Sequence, residues 1–367
     1  MRSSVLHRFA TELGDGQALG PLRIVLGVLL GHQALTLAGE LARFGYFGDA
    51  FHASMLPELL VPSPRAYALV LAIRVCLAVM IVLGAWARPA LAVSAGLGMW
   101  ILLLDRNQFH HNRYSLFLYA LLAALMPCDR SWRILEPAVP APRTGPFWAA
   151  RLAGIQIAIV YLASGGAKLL DPDWRDGLVL GDRVARYGAQ AVALGVPQKV
   201  VDTLGRADVA SAVAKLAITT ELVLCVALWL APTRMIALWW GVWFHLVIQA
   251  TSKVEGFTVL TLAMYATFVT PDYRARRLRY DPSRWGGKVA RALVPLLDWF
   301  GRFDLQPWEP DDREGHSIVV VRRDGVPATG IRAFAMLTRC LPLLFPLWAP
   351  VALVASFSRG GDLTVRG

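Results

Sequence analysis

Long apolar stretches recur along the chain, separated by short polar stretches that often contain Pro or Gly. A helix needs about 20 mostly apolar residues to cross the hydrocarbon core of a bilayer. Eight stretches approach this length, at residues 20–38, 66–85, 88–105, 114–127, 147–169, 211–231, 234–252 and 255–270. The pattern therefore predicts an all-α integral membrane protein, a polytopic helical bundle of about eight transmembrane helices.

The two ends of the chain differ from this pattern. Residues 1–19 carry acidic side chains before the first apolar stretch and are predicted to be a cytoplasmic tail, followed by a membrane domain over 20–272. Residues 281–367 are more polar, and SIVVVRRDG at 317–325 indicates a strand that enters a turn. Residues 330–357 favour a surface helix and a hydrophobic turn over a ninth span. We therefore predict a small α+β cytoplasmic tail.

Composition supports the membrane assignment. Of the 367 residues, 56% are hydrophobic and only 17% are charged, and mean hydropathy is +0.48. A soluble domain has about a quarter charged residues, so a soluble enzyme is excluded. We expect a multi-pass protein of the cell (inner) membrane.

The formal net charge is +11, from 37 Lys and Arg against 26 Asp and Glu. No nucleic-acid recognition motif accompanies this excess, so we expect membrane lipid rather than nucleic acid as the partner. A basic cluster follows the eighth apolar stretch and, with the positive-inside rule, favours cytoplasmic termini. The cluster comprises Arg274, Arg276, Arg277 and Arg279.

The four cysteines show no metal-ligand or disulfide spacing. They are far apart, and none belongs to a Cys-x-x-Cys pair. We predict no metal site. The cysteines are Cys76, Cys128, Cys225 and Cys340.

Charged and strongly polar side chains inside the apolar stretches are functional candidates, since a charge at membrane depth costs at least about 2.5 kcal/mol. Alternatively, each of these side chains could extend to the membrane surface or pair with another polar group within the bundle, without a functional role. These residues are Arg23, His32, Arg74, Arg151, Lys168, Lys215, Glu221, His245 and Gln249.

Lys168 has the most unusual context. It follows a run of small residues that includes Gly165 and Gly166, where a ligand or another backbone can approach closely. A partly desolvated lysine there could act as a general base. Alternatively, it could snorkel at the helix exit and pair with Asp171 or Asp173.

Two other groups of polar residues stand out. The first group lies between two spans and consists of His110, His111 and Asn112. These residues could transfer protons, or they could cap a helix at the membrane interface. Glu221 and His245 lie near the middles of adjacent spans and could satisfy each other across a helix interface. A functional role for either residue is equally open.

Five phrases resemble one family in content and order. PLRIVLGVLL, HHNRYSLFLYAL, VYLASGGAKLLDPDW, TTELVLCVALWL and WFHLVIQATSKVEGF are similar to segments of the HTTM domain. This is the membrane domain of vitamin K-dependent gamma-carboxylases and their bacterial relatives. The resemblance extends over roughly residues 15–280. The end of the chain, from SIVVVRRDG onwards, resembles part of a DCC-family domain without its cysteine pair.

The family resemblance implies a chemistry. The carboxylase lysine that deprotonates reduced vitamin K corresponds to Lys168, and the carboxylase histidine corresponds to His111 or Asn112. The same resemblance makes a set of neighbours candidates for substrate binding, namely Tyr161, Gly165, Gly166, Glu221 and His245.

Two hypotheses follow from the sequence. The first is an enzyme that acts on a reduced, vitamin K-like quinone or another lipid-soluble substrate, with Lys168 as general base and a peptide as a conceivable second substrate. The second is a non-enzymatic membrane protein that binds lipid or quinone or assists the assembly of another protein.

Overall fold

The computed structural model describes residues 5–45, 53–134, 144–193, 195–251, 256–269, 275–308 and 315–358. The described chain is mostly helical and divides into two compact units. The first unit, called the helical unit here, comprises Met1–Ala237 and Phe244–Pro271. The second, the mixed unit, comprises Leu238–Trp243 and Asp272–Gly367.

Twelve helices are described before residue 270. They are α1 (Val5–Thr11), α2 (Leu19–Phe44), α3 (Pro64–Leu83), α4 (Ala87–Leu103), α5 (His111–Ala124), α6 (Trp148–Leu170), α7 (Pro172–Arg175), α8 (Leu178–Ala193), α9 (Gln198–Leu204), α10 (Ala207–Ala227), α11 (Arg234–Thr251) and α12 (Phe257–Met264). Short 3-10 helices cover Glu58–Leu60, Arg106–Gln108 and Tyr265–Phe268.

Each of the eight predicted apolar intervals contains a helix, but the predicted number of eight spans is not confirmed. Among the described residues, four helices are long and apolar enough to cross a membrane: α2, α3, α6 and α10. The 14 residues of α5 rise only about 21 Å, less than the hydrocarbon thickness of about 30 Å. The eight residues of α12 are shorter still.

At one end of the helical unit, segments that are distant in sequence lie together. Strand β1 (Leu13–Asp15) pairs antiparallel with β2 (Thr144–Pro146), and these strands precede α2 and α6. Arg88 Nε, at the start of α4, donates to the carbonyl of Ala124 at the end of α5, at 2.8 Å. Gly145 of β2 lies against Pro127, since a Cβ built at Gly145 would be 2.7 Å from Pro127 Cβ. The start of α6 therefore lies close to the end of α5, and these two contacting helices run antiparallel.

The turn between α3 and α4 at this end requires a glycine. Gly84 ends α3 with φ of +79°, and a Cβ there would collide with Arg23 and Arg133. Glycine adopts this left-handed conformation without steric cost.

The described residues after 274 form one four-stranded sheet, three α-helices and a 3-10 helix at Pro342–Leu347. The strands and α-helices of this part are β3 (Arg276–Tyr280), α13 (Trp285–Leu297), β4 (Phe303–Pro307), β5 (Ile318–Val321), β6 (Pro327–Thr329), α14 (Gly330–Cys340) and α15 (Trp348–Phe357). The sheet order is β4-β3-β5-β6; β3 and β4 are parallel, and the other pairs are antiparallel. Leu278, Val320 and Leu337 belong to the core of this part.

The expected strand in SIVVVRRDG is confirmed as β5, which a turn joins to β6. The basic cluster differs from the expectation of a loop against lipid. Arg276, Arg277 and Arg279 lie in β3, whereas Arg274 falls outside the described residues.

Candidate functional site

The candidate site is built on one face of α6. Tyr161, Ser164, Gly165 and Lys168 are spaced by three, four and seven residues, so they share the face that packs against α10. Gly165 allows the close approach, because a Cβ there would lie 3.1 Å from both Glu221 Cβ and Leu222 Cδ2. Gly166 has a different setting, since no atom of the other described elements lies within 4 Å of a Cβ built at that residue.

Lys168 forms a buried ion pair with Glu221 of α10. Its Nζ lies 2.6 Å from Oε1 and 2.7 Å from Oε2 of the carboxylate, and it also donates to Ser164 Oγ at 2.8 Å. The hydroxyl of Ser164 donates to Glu221 Oε1 at 3.1 Å. The Lys168 side chain is 18% exposed and that of Glu221 is 6% exposed, so the charges are largely withdrawn from solvent.

Glu221 takes the place of both partners considered for Lys168 from the sequence, Asp171 and Asp173. Asp171 instead accepts a hydrogen bond from the backbone N–H of Asp173 at 3.0 Å and caps α7. The lysine therefore pairs with α10 and not with the residues that follow it in the chain.

An aromatic ring covers the lysine. Lys168 Nζ lies 5.1 Å from the ring centroid of Trp174, and Arg183 Cζ of α8 lies 5.1 Å from the same centroid. Cations within about 6 Å of a tryptophan centroid are attracted by the ring. The short helix α7 thus places Trp174 close to both Lys168 and Arg183.

Deeper along the same face of α6 lies a second cluster. The hydroxyl of Tyr161 is 2.6 Å from His245 Nε2 and also hydrogen-bonds to the hydroxyl of Tyr265. His245 is 1% exposed, and its Nδ1 has no hydrogen-bond partner among the described residues. The predicted contact between His245 and Glu221 is therefore replaced by two others: His245 bonds to Tyr161, and Glu221 bonds to Lys168.

Asn112 and His111 lie at the start of α5. Among the described residues, no hydrogen bond joins Asn112 or His111 to Lys168.

The two candidates at the start of α5 differ in burial. Asn112 is 7% exposed, and its Oδ1 has no hydrogen-bond partner in the described part of the chain. His111 is exposed and stacks on His110 with a centroid separation of 4.5 Å. Partial desolvation and the neighbouring His110 lower the pKa of His111, which favours its neutral form.

Sequence reasoning missed three members of these clusters: Ser164, Trp174 and Tyr265. The helical spacing from Tyr161 to Lys168 could have revealed Ser164. Tyr265 lies 104 residues from Tyr161, and no local pattern connects the two. Within the described residues, no group of three or more His, Cys, Asp or Glu side chains is arranged to hold a metal ion.

Four long apolar helices and charged side chains buried between them define a helical membrane protein. Residues 13–273 match the HTTM domain family, so the chain belongs to this family of membrane domains. No curated protein and no solved structure matches the chain.

Proposed function

We propose that this HTTM-domain protein is a multi-pass membrane enzyme that removes a proton from a lipid-soluble substrate, a reduced quinone. Lys168 is the proton acceptor, and Glu221 and Ser164 are positioning residues. The observation that carries the proposal is the buried contact of Lys168 Nζ with both carboxylate oxygens of Glu221.

This contact gives the lysine a route to its neutral form. The proposed step moves a proton from Nζ to Glu221 Oε2, which breaks an N–H bond and forms an O–H bond at the contact of 2.7 Å. The amine then accepts the hydroxyl proton of the quinol. The O–H bond breaks, an N–H bond forms, and the electron pair remains on the quinol oxygen.

The surrounding side chains suit a flat aromatic substrate with oxygen at both ends. Trp174 supplies a planar wall beside Lys168, and the open space at Gly166 borders the same turn of α6. Tyr161 and Tyr265 carry hydroxyl groups, and Nδ1 of His245 is buried without a partner in the described part of the chain. These groups can donate to or accept from a quinol oxygen.

The second candidate function is non-enzymatic: binding of lipid or quinone, or assistance to the assembly of another protein. The observation that favours it is the same ion pair. Lys168 and Glu221 join α6 to α10, and a buried pair that only locks two helices retains both charges. In this case the ammonium proton is never released.

The two functions are separated by turnover of the purified full-length protein in lipid nanodiscs with a reduced menaquinone-type substrate. The assay contains dissolved oxygen, which takes two electrons from the deprotonated quinol to give quinone and hydrogen peroxide. We expect wild-type protein to accelerate this consumption of quinol and oxygen, and Lys168→Ala to lower the rate by about 10²–10⁴-fold, as for loss of a general base. Lys215→Ala is the matched control, because Lys215 is an exposed residue of α10. Its rate should equal that of the wild type.

A double variant tests whether the Lys168–Glu221 pair serves only to join α6 to α10. Replacing a buried ion pair by apolar side chains often leaves stability unchanged. We therefore expect Lys168→Met combined with Glu221→Met to retain the thermal stability of the wild type while losing turnover. Full turnover in this variant would contradict the role of Lys168 as base. No quinol consumption by wild-type protein that binds quinone would favour the non-enzymatic function.

A further inference from the structure

Arg74 is a fully buried charge in a different part of the helical unit. It lies midway along the 20 residues of α3, with 0% of its surface exposed. Its Nε, Nη1 and Nη2 are all buried, and none has a hydrogen-bond partner among the described residues. A guanidinium remains protonated in proteins and carries five N–H donors, so every one of these donors is left unsatisfied.

Other arginines of this unit are bound differently. Arg23, also 0% exposed, donates to the carbonyls of Ile81, Ser131 and Trp132. Arg151 forms a two-point contact with Glu12, at 3.0 and 2.7 Å. Arg23 and Arg151 thus have oxygen partners within the chain, whereas the described residues provide none for Arg74.

The guanidinium of Arg74 faces an aromatic ring, and α4, which contacts that ring, carries another buried polar group without a partner among the described residues. The guanidinium carbon lies 5.2 Å from the ring centroid of Phe117 in α5. That ring packs on Gly98 of α4. Ser94 lies one turn before Gly98 on the same face, is 0% exposed, and its Oγ has no partner in the described residues.

We infer that Arg74 binds a carboxylate from outside the chain, held in the interior of the bundle formed by α2 to α5. A carboxylate fits the requirement, because its two coplanar oxygens match the fork of a guanidinium and its charge neutralises the buried cation. The carboxylate belongs either to a small water-soluble acid or to a fatty acid from the bilayer.

The experiment measures the melting temperature of the purified full-length protein in detergent at constant ionic strength, with chloride replaced by acetate or with oleate added. We expect a saturable rise of about 5 °C at high ligand occupancy in the wild type. The rise should be absent in Arg74→Met and reduced in Arg74→Lys, which keeps the charge but loses the fork. A response to acetate identifies a small acid, and a response to oleate alone identifies a lipid-derived one.

Two comparisons make the result specific. Arg206→Met removes an exposed arginine and should respond to the ligand as the wild type does. Without ligand, Arg74→Met should be at least as stable as the wild type, because it removes an unpaired buried charge. If Arg74→Met does not fold, the ligand-induced rise in melting temperature is compared between Arg74→Lys and the wild type.

Native mass spectrometry covers the case in which the carboxylate co-purifies with the protein. Wild-type protein should then carry an additional mass that Arg74→Lys loses. The inference is overturned if neither a saturable shift nor a bound mass is observed, or if Arg74→Lys and the wild type respond equally.

Discussion

Arg23 shows how a single side chain can hold an end of a helical unit together. It starts on α2 and donates to a carbonyl at the end of α3 and to two carbonyls in the segment after α5. Hydrogen bonds from a charged donor are about twice as strong as neutral ones. This one arginine therefore satisfies carbonyl oxygens at the end of α3 and in the segment after α5.

We predict that Arg23→Met destabilises the helical unit by about 3 kcal/mol, because it leaves buried carbonyl oxygens without donors. The measurement is the melting temperature of the purified full-length protein, and Arg206→Met, at an exposed position, provides the control. A variant as stable as the wild type would show that water or lipid satisfies these carbonyls.

The site was partly predictable at the scale of single residues. Lys168, Glu221 and His245 can be identified because charged or polar side chains in apolar stretches are conspicuous, whereas Tyr161 is indicated only by the family resemblance. Their pairing was not predictable, since the sequence places Lys168 next to Asp171 but the fold brings it to Glu221, 53 residues away. Which polar groups meet depends on how the helices rotate and pack.

At the scale of elements, the contact of α6 with α10 depends on one of two adjacent glycines. Gly165 faces Glu221 and Leu222, whereas Gly166 faces open space. The sequence marks both as small residues in an apolar helix and does not distinguish them.

We predict that replacing glycine by alanine changes the thermal stability differently at these two positions. Gly166→Ala should be neutral or stabilise α6 by about 0.5–1 kcal/mol, since alanine favours helix over glycine. Gly165→Ala should gain less or lose stability, and Gly165→Val should displace Glu221 and destabilise the contact by about 1–3 kcal/mol. Thermal melting of the four proteins, wild type included, measures this; equal effects at both positions would contradict the described packing.

Helices were more predictable than strands. Each apolar interval is long enough to show its hydropathy, and a helix lies in every one. Strands β1 and β2 contain three residues each, too few for an alternating pattern to emerge. Their pairing also joins residues about 130 positions apart, which no local signal can reveal.

At the scale of the whole helical unit, the N-terminal segment is fastened to the start of α6. Besides the pairing of β1 with β2, the backbone N–H of Phe147 donates to the Glu12 carbonyl at 2.9 Å. The Glu12 carboxylate accepts two hydrogen bonds from Arg151. Hydrogen bonding to Arg151 lowers the pKa of Glu12 below its ordinary value of 4.5.

This pKa shift predicts a pH dependence of stability. A carboxyl group whose pKa is lowered in the folded protein stabilises it above the unfolded pKa, and the contribution is lost as pH falls through the folded pKa. The melting temperature of the wild type should therefore exceed that of Glu12→Gln by a constant amount at neutral pH, and the difference should close below about pH 4.5. The difference is modest, since the Glu12 side chain is 35% exposed.

Arg151→Gln should lose the same pH-dependent part of the stability, because the two residues act as one pair. A difference between wild type and Glu12→Gln that persists unchanged to pH 3 would contradict this account.

The separation of Lys168 from its partner also bears on how the protein is made. Synthesis proceeds at about 5–20 residues per second, so Glu221 follows Lys168 by roughly 3–10 seconds. During that interval the ribosome has delivered α6 with its lysine, while the carboxylate that neutralises it does not yet exist. The helix cannot complete its charge pairing in the bilayer before α10 arrives, so insertion of the two helices is coupled in time.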